Sequence, residues 1–219
     1  MRRWLPCLSL LVALPAAADP YAERSGGATA YYLRSEASYE VAGVERDFTH
    51  RRYALDYSEQ ANDWLHLGIS MGLAFSEAPG EPLLATLEPS GYLFGVFGGA
   101  KLFEHGRFTV GVELGYLREV GDSADATDEV TLELSEGRAQ LSAAYRFDAL
   151  RLVAGAYALE VSGEIERSGG TPGTARFEQV EGSGALLGLE LPLANQHALG
   201  LRVESGARDS VVLSFSTRF

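Results

Sequence analysis

The final nine residues, Val211 to Phe219, constrain the fold more than any other stretch of the 219-residue chain. Val211, Leu213, Phe215, Thr217 and Phe219 alternate with Val212, Ser214, Ser216 and Arg218. That is the period of an extended strand with one apolar and one polar side. The same period recurs along the chain. Leu65, Leu67, Ile69, Met71, Leu73 and Phe75 oppose Trp64, His66, Gly68, Ser70, Gly72 and Ala74, and Phe108, Val110, Val112, Leu114 and Tyr116 oppose Thr109, Gly111, Glu113 and Gly115.

Read in order, the alternation predicts ten strands, over 31–41, 48–58, 64–76, 91–103, 108–119, 129–147, 151–166, 175–193, 197–205 and 211–219. Short turns are expected near 60, 105, 148 and 195. Longer polar loops are expected at 77–90, 121–128 and 168–173, where Pro, Gly and acidic residues collect. In the sixth strand the apolar pattern changes phase between Leu134 and Leu141, and Gly137 is the expected site of a β-bulge.

The start of the chain has a different character. Arg2 and Arg3, an apolar run from Trp4 to Leu14, and Pro15-Ala16-Ala17-Ala18 have the layout of a secretory signal peptide over residues 1–18. The apolar run is well short of the ~20 residues of a spanning helix. Cys7, the one cysteine, sits early in that run, where lipidation is not expected. The barrel domain is then 19–219, opening with a polar leader, and without Arg2 and Arg3 it is more acidic still than the full chain at −12. It has no thiol chemistry, and its charge disfavours a nucleic-acid partner, which calls for a basic patch.

A chain ending inside an alternating strand on Phe219, after a signal peptide and ten alternating segments, resembles the small bacterial outer-membrane β-barrels. The resemblance covers 19–219 at the level of architecture and implies an all-β, closed, antiparallel up-and-down transmembrane barrel of ten strands, with eight as the alternative count. It implies a Gram-negative outer-membrane location with export by the cleaved segment. It also implies lipid and lipopolysaccharide as surroundings, and periplasmic chaperones and the barrel-assembly machinery as partners. Leu213, Phe215 and Phe219 would carry the C-terminal assembly signal.

Alternation alone does not say which face is inside. Two features favour polar-in: the polar faces carry Gly68, Gly72, Gly95, Gly99, Gly111, Gly115, Gly184 and Gly188, which leave room in a narrow interior. Aromatics also gather near strand ends: Tyr31, Tyr57, Phe75, Phe103, Phe108, Tyr116, Tyr145, Phe147, Phe177 and Phe219. The polar face then places Arg34, Glu36, Arg52, Asp56, Lys101, Glu113, Arg146, Glu190 and Arg202 in the lumen as a plugging charge network, with Arg34–Asp56 and Glu36–Arg52 pairs on the first hairpin.

Motifs for catalysis are sparse. The histidines, His50, His66, His105 and His197, form no HExxH pattern, and no metal or cofactor is expected. His66 and Ser70 share a face but lie ~13 Å apart along it. The His-x-Ser pair of barrel lipid A deacylases and the Asp-x-His pair of omptin proteases are both missing. The expected role is a non-enzymatic barrel contributing to envelope structure or surface contacts through acidic loops. A narrow solute channel and a lipid- or peptide-cleaving barrel enzyme are the alternatives.

Overall fold

A computed structural model describes residues 26–219 apart from 80, 85, 86, 126 and 171. The expected signal peptide, Cys7 and most of the leader lie outside the described residues.

Eleven strands form one antiparallel sheet: β1 (Gly26–Val41), β2 (Val44–Asn62), β3 (Leu65–Glu77), β4 (Ser90–His105), β5 (Phe108–Ala124), β6 (Asp128–Arg146), β7 (Arg151–Gly169), β8 (Gly173–Gln179), β9 (Ser183–Pro192), β10 (His197–Gly206) and β11 (Asp209–Arg218). β11 pairs with both β10 and β1, so the sheet closes on itself and leaves no free edge along that seam. Following the pairing round from Tyr31 through Ala54, Gly72, Leu93, Glu119, Leu134, Gly163 and Phe177 returns to β1 at Val41, ten residues further along. That stagger is what tilts the strands of a closed barrel.

The expected single strand over 175–193 is two strands. β9 pairs with the first half of β7 and with β10, whereas β8 pairs with the second half of β7 and crosses to β1, where Tyr39, Glu40 and Val41 meet Gln179, Glu178 and Phe177. The tip of the β10–β11 hairpin is tucked below the crossing, with Ala207 donating its N–H to Ser183 and accepting from the Gln179 amide. The ring of ten strands runs through β9, and β8 closes the wall above it.

Local chemistry sets the turns. β1 and β2 are joined by Ala42-Gly43, both at positive φ, the arrangement of a two-residue turn whose twist matches the strands it joins. Gly68 pairs directly with Phe97, and Gly163 with Phe177; a Cβ at either glycine would overlap the ring folded across it.

One expectation fails in an instructive way. β6 has no bulge at Gly137: its pairing with β5 and β7 runs unbroken from Glu129 to Tyr145. The backbone keeps its alternation, and the hydrophobicity changes sides. Val130, Leu132 and Leu134 are buried inside the barrel, followed on the same inner face by Glu136, Arg138 and Gln140.

Candidate functional site

The expected loops at 121–128 and 168–173 are shortened by strand to three-residue connections, and among the described residues only the β3–β4 connection is long. The interior has layers. Toward the end that carries that long connection, here the loop end, Phe48, Val130, Leu132, Leu134, Leu159, Val161, Ile165 and Phe177 pack into an apolar core. The β3–β4 connection closes it. Leu84, 1 % exposed, and Ala78 join the core, Arg46 pairs with Glu81 at 3.6 Å, and Arg167 donates to the carbonyls of Pro82 and Leu83 while binding Asp128 at 2.6 Å. Beside it, the Asp125 carboxylate accepts the N–H groups of Thr127 and Asp128, which hold it below the usual carboxylate range.

Beneath that core lies a buried ion-pair girdle. Arg52 on β2 reaches across to Glu119 on β5 and to Glu136 on β6, the latter at 2.8 Å. Arg208, from the β10–β11 tip, bridges Glu136 at 3.1 Å and Glu204 at 2.9 Å. Arg138 binds Glu204 through both terminal nitrogens, at 2.6 and 3.1 Å, and lies 4.4 Å over the Tyr157 ring; Arg202 reaches the same carboxylate at 3.1 Å. Ser210 and Gln140 add further hydrogen bonds. Buried charges are tolerable only when paired and hydrogen-bonded on most sides, and the forked guanidinium lets one arginine serve two carboxylates. The girdle joins side chains from β2, β5, β6, β10 and the β10–β11 tip.

Below the girdle, a smaller cluster of Tyr31, Leu33, Ala54, Leu93, Phe97, Leu117 and Val212 shares the interior with Arg151–Glu190 at 3.0 Å and His66–Glu113 at 3.8 Å.

The charged residues expected in the lumen divide. Arg52, Asp56, Glu113, Glu190 and Arg202 face inward. Arg34 and Glu36 do not: they sit on the outer face of β1, more than half exposed and paired with each other at 3.0 Å, so neither expected first-hairpin pair forms. Lys101 sits at a register shift near the β4–β5 turn and binds Glu104 at 2.6 Å, and Arg146 is exposed at the end of β6. Glu119, Glu136, Arg138, Glu204 and Arg208, the centre of the girdle, were not among the expected residues. Arg208 lies in a turn, where alternation assigns no face. Glu136 and Arg138 follow Val130, Leu132 and Leu134 on one face of β6, where the apparent phase change was their signal, and Glu204 follows Arg202 on the polar face of β10, where the alternation already marks it.

The outer surface is the inverse of the interior. Nearest the termini it carries Leu55, Tyr57, Leu67, Ile69, Met71, Leu73, Phe94, Leu187, Leu199, Leu201, Val211, Leu213 and Phe215, all exposed. Charged residues then take over on the same faces, beginning with Arg34, Arg51, Glu77, Arg118, Glu133 and Glu160, and pairing across strands as Arg51–Glu77 and Arg118–Glu133. Tyr57, Phe103, Phe108, Tyr145, Phe147 and Phe219 are exposed near the terminal end, whereas Tyr31 and Phe177 belong to the interior. Tyr32, Tyr53 and Phe75 form an adjoining row of rings, with centroids 5.0 and 6.1 Å apart, at the other border of the belt.

His50 and Ser76 make a buried contact, Nδ1 to Oγ at 2.9 Å. The Tyr39 and Phe48 rings pack on the imidazole, and among the described residues its Nε2 has no hydrogen-bond partner and no third group orients it as a base. Among the described residues, no three His, Cys, Asp or Glu side chains cluster as a metal site, and no helix is long and apolar enough to cross a membrane.

No family model matches the chain, and no curated protein matches it. Among solved structures it is similar to the translocator domain of the autotransporter NalP from Neisseria meningitidis, at a TM-score of 0.51 and 11% identity over 91% of this chain and 90% of that one. It also matches the outer membrane protein OprG from Pseudomonas aeruginosa (0.49, 7%, 91% and 99%) and the toluene transporter TodX from Pseudomonas putida (0.39, 10%, 91% and 91%). The chain has the fold of the outer-membrane β-barrels.

Proposed function

We propose that the protein is an integral outer-membrane barrel, non-enzymatic and closed to solutes, whose terminal half crosses the lipid while its loop half stands outside the membrane as an acidic, packed body. The observation that carries this reading is the coincidence of two borders. Where the outer face changes from apolar to charged, the inner face changes from charged to apolar.

On β3 the apolar outer face runs from Leu67 to Phe75, ~26 Å along the strand and ~20 Å after a tilt of about 40°, close to the apolar band such barrels present to lipid. The short turns and both described ends of the sheet then face the periplasm. Leu213, Phe215 and Phe219, all exposed on one face, would be read by the assembly machinery and then rest against lipid. The acidic loop half, with Glu36, Glu45, Asp47, Glu160, Glu164 and Glu178 on its outer surface, would meet lipopolysaccharide headgroups and other surface partners.

The test has two arms. The protein should fractionate with the outer membrane and run differently on SDS gels before and after boiling. Purified into planar bilayers, it should give no steady solute conductance, because the girdle and the apolar core both block the lumen. A stable open pore would contradict the closed reading, and a soluble periplasmic protein would contradict the membrane reading.

A further inference from the structure

The girdle leaves one interior acid out. Glu119 and Glu136 are bound by Arg52, Glu204 by Arg138, Arg202 and Arg208, Glu190 by Arg151, and Glu113 faces His66. Asp56, on the inner face of β2, is 2 % exposed, and neither of its carboxylate oxygens has a hydrogen-bond partner among the described residues. Arg202, whose charge acts on Asp56, is itself paired with Glu204. A buried carboxylate with no hydrogen-bond donor and no ion-pair partner of its own is costly.

Its neighbours across the sheet include hydroxyls. Ser70 is its direct partner across β2 and β3, and the Ser70 hydroxyl lies beside both Asp56 and the buried Tyr31 hydroxyl without the alignment of a hydrogen bond. Ser214, the partner of Tyr31 across β1 and β11, is buried with its own hydroxyl unpaired. The register thus gathers one carboxylate and three hydroxyls from four neighbouring strands, β11, β1, β2 and β3. Toward the terminal end the inner face continues through Ser58, Gln60 and Glu113, all partly exposed, which gives water and ions a way in.

We propose that Asp56, Ser70, Tyr31 and Ser214 form a binding site for a small monovalent cation of the sodium type, entering from the terminal end. An all-oxygen set suits a hard cation. One negative charge matches a monovalent ion, whereas divalent ions are usually held by more carboxylates. The cation supplies the counter-charge that arginines supply to Glu119, Glu136, Glu190 and Glu204. The site stands on interior geometry, independent of how the barrel sits in lipid.

The test uses the full barrel refolded in detergent, with unfolding followed by thermal shift in sodium chloride and in choline chloride at equal ionic strength. A midpoint that rises with the logarithm of sodium and not with choline is expected, as for any ligand bound by the folded state alone. Asp56→Asn should abolish the sodium dependence and be at least as stable in choline as the parent. If that variant does not refold, Ser70→Ala, which keeps the charge and removes one oxygen, should move the sodium response to higher concentration. Equal midpoints in the two salts would overturn the site. So would stabilisation by acid alone in choline with no sodium response, which would mean that Asp56 is neutralised by a proton.

Discussion

The terminal half and the loop half of this barrel are built from the same strands and are opposites in cross-section. Near the termini, leucines and aromatics point out, and the interior holds arginines and glutamates beside the smaller cluster of Leu33, Leu93, Phe97 and Leu117. Near the loops, glutamates point out and Phe48, Leu132, Ile165 and Phe177 point in. The loop half is packed around an apolar core, as a soluble barrel is. The terminal half gains nothing by turning its leucines to water, so its architecture makes sense only with an apolar solvent around it. A single strand can serve two solvents, provided its side chains exchange roles at the border.

The largest effect should come from the layer between the halves. Glu136→Ala leaves Arg52 and Arg208 without their shared carboxylate, and a broken buried pair costs about 3–5 kcal/mol. Reversible denaturant unfolding in micelles would read it; a change below ~1 kcal/mol would mean that water already bathes the girdle.

Two leucines on β6 sharpen the contrast. Leu132→Ala empties a packed core position and should cost ~2–5 kcal/mol. Leu141→Ala lies on the outer face in the terminal half, where lipid tails are as apolar as leucine, and should cost less than ~1 kcal/mol in vesicles. Equal losses would erase the distinction between the halves.

Charge scanning probes the same border from outside. Met71→Lys, near the middle of the apolar belt, should cost about 2–4 kcal/mol in folding into vesicles. Arg118→Ala removes an exposed pair with Glu133 at the border and should fall within ~1 kcal/mol.

How much of this was legible beforehand depended on whether a residue's face could be read from period alone. β3 and β11 alternate cleanly, and their apolar faces lie outward as expected. β6 showed the inversion as a change of phase, but a period-2 pattern does not distinguish a bulge from a change of solvent. Arg34 and Glu36 share the face of Tyr32, outside, whereas pairing them with Asp56 and Arg52 required the opposite face. The break at Val180-Glu181-Gly182 is hidden in the alternation because the register against β7 shifts by one residue there: Phe177 faces in on β8 and Leu187 faces out on β9, so the apolar residues stay at odd positions while the face they occupy changes. The girdle was hidden for a related reason: Glu119 and Arg52 meet across the lumen from strands far apart in sequence, which local pattern cannot show.

The most direct test of the exchange of roles is single-cysteine labelling along the outer face of β6 in lipid vesicles, in the chain without residues 1–18. Glu133→Cys and Leu141→Cys point the same way, eight residues apart. The account predicts that a water-soluble maleimide modifies position 133 rapidly and leaves position 141 protected, while a lipid-soluble reagent reaches 141. Equal rapid labelling by the water-soluble reagent would make the whole wall a soluble surface, and equal protection would extend the lipid belt over the half described here as standing outside it. Either result would contradict the account.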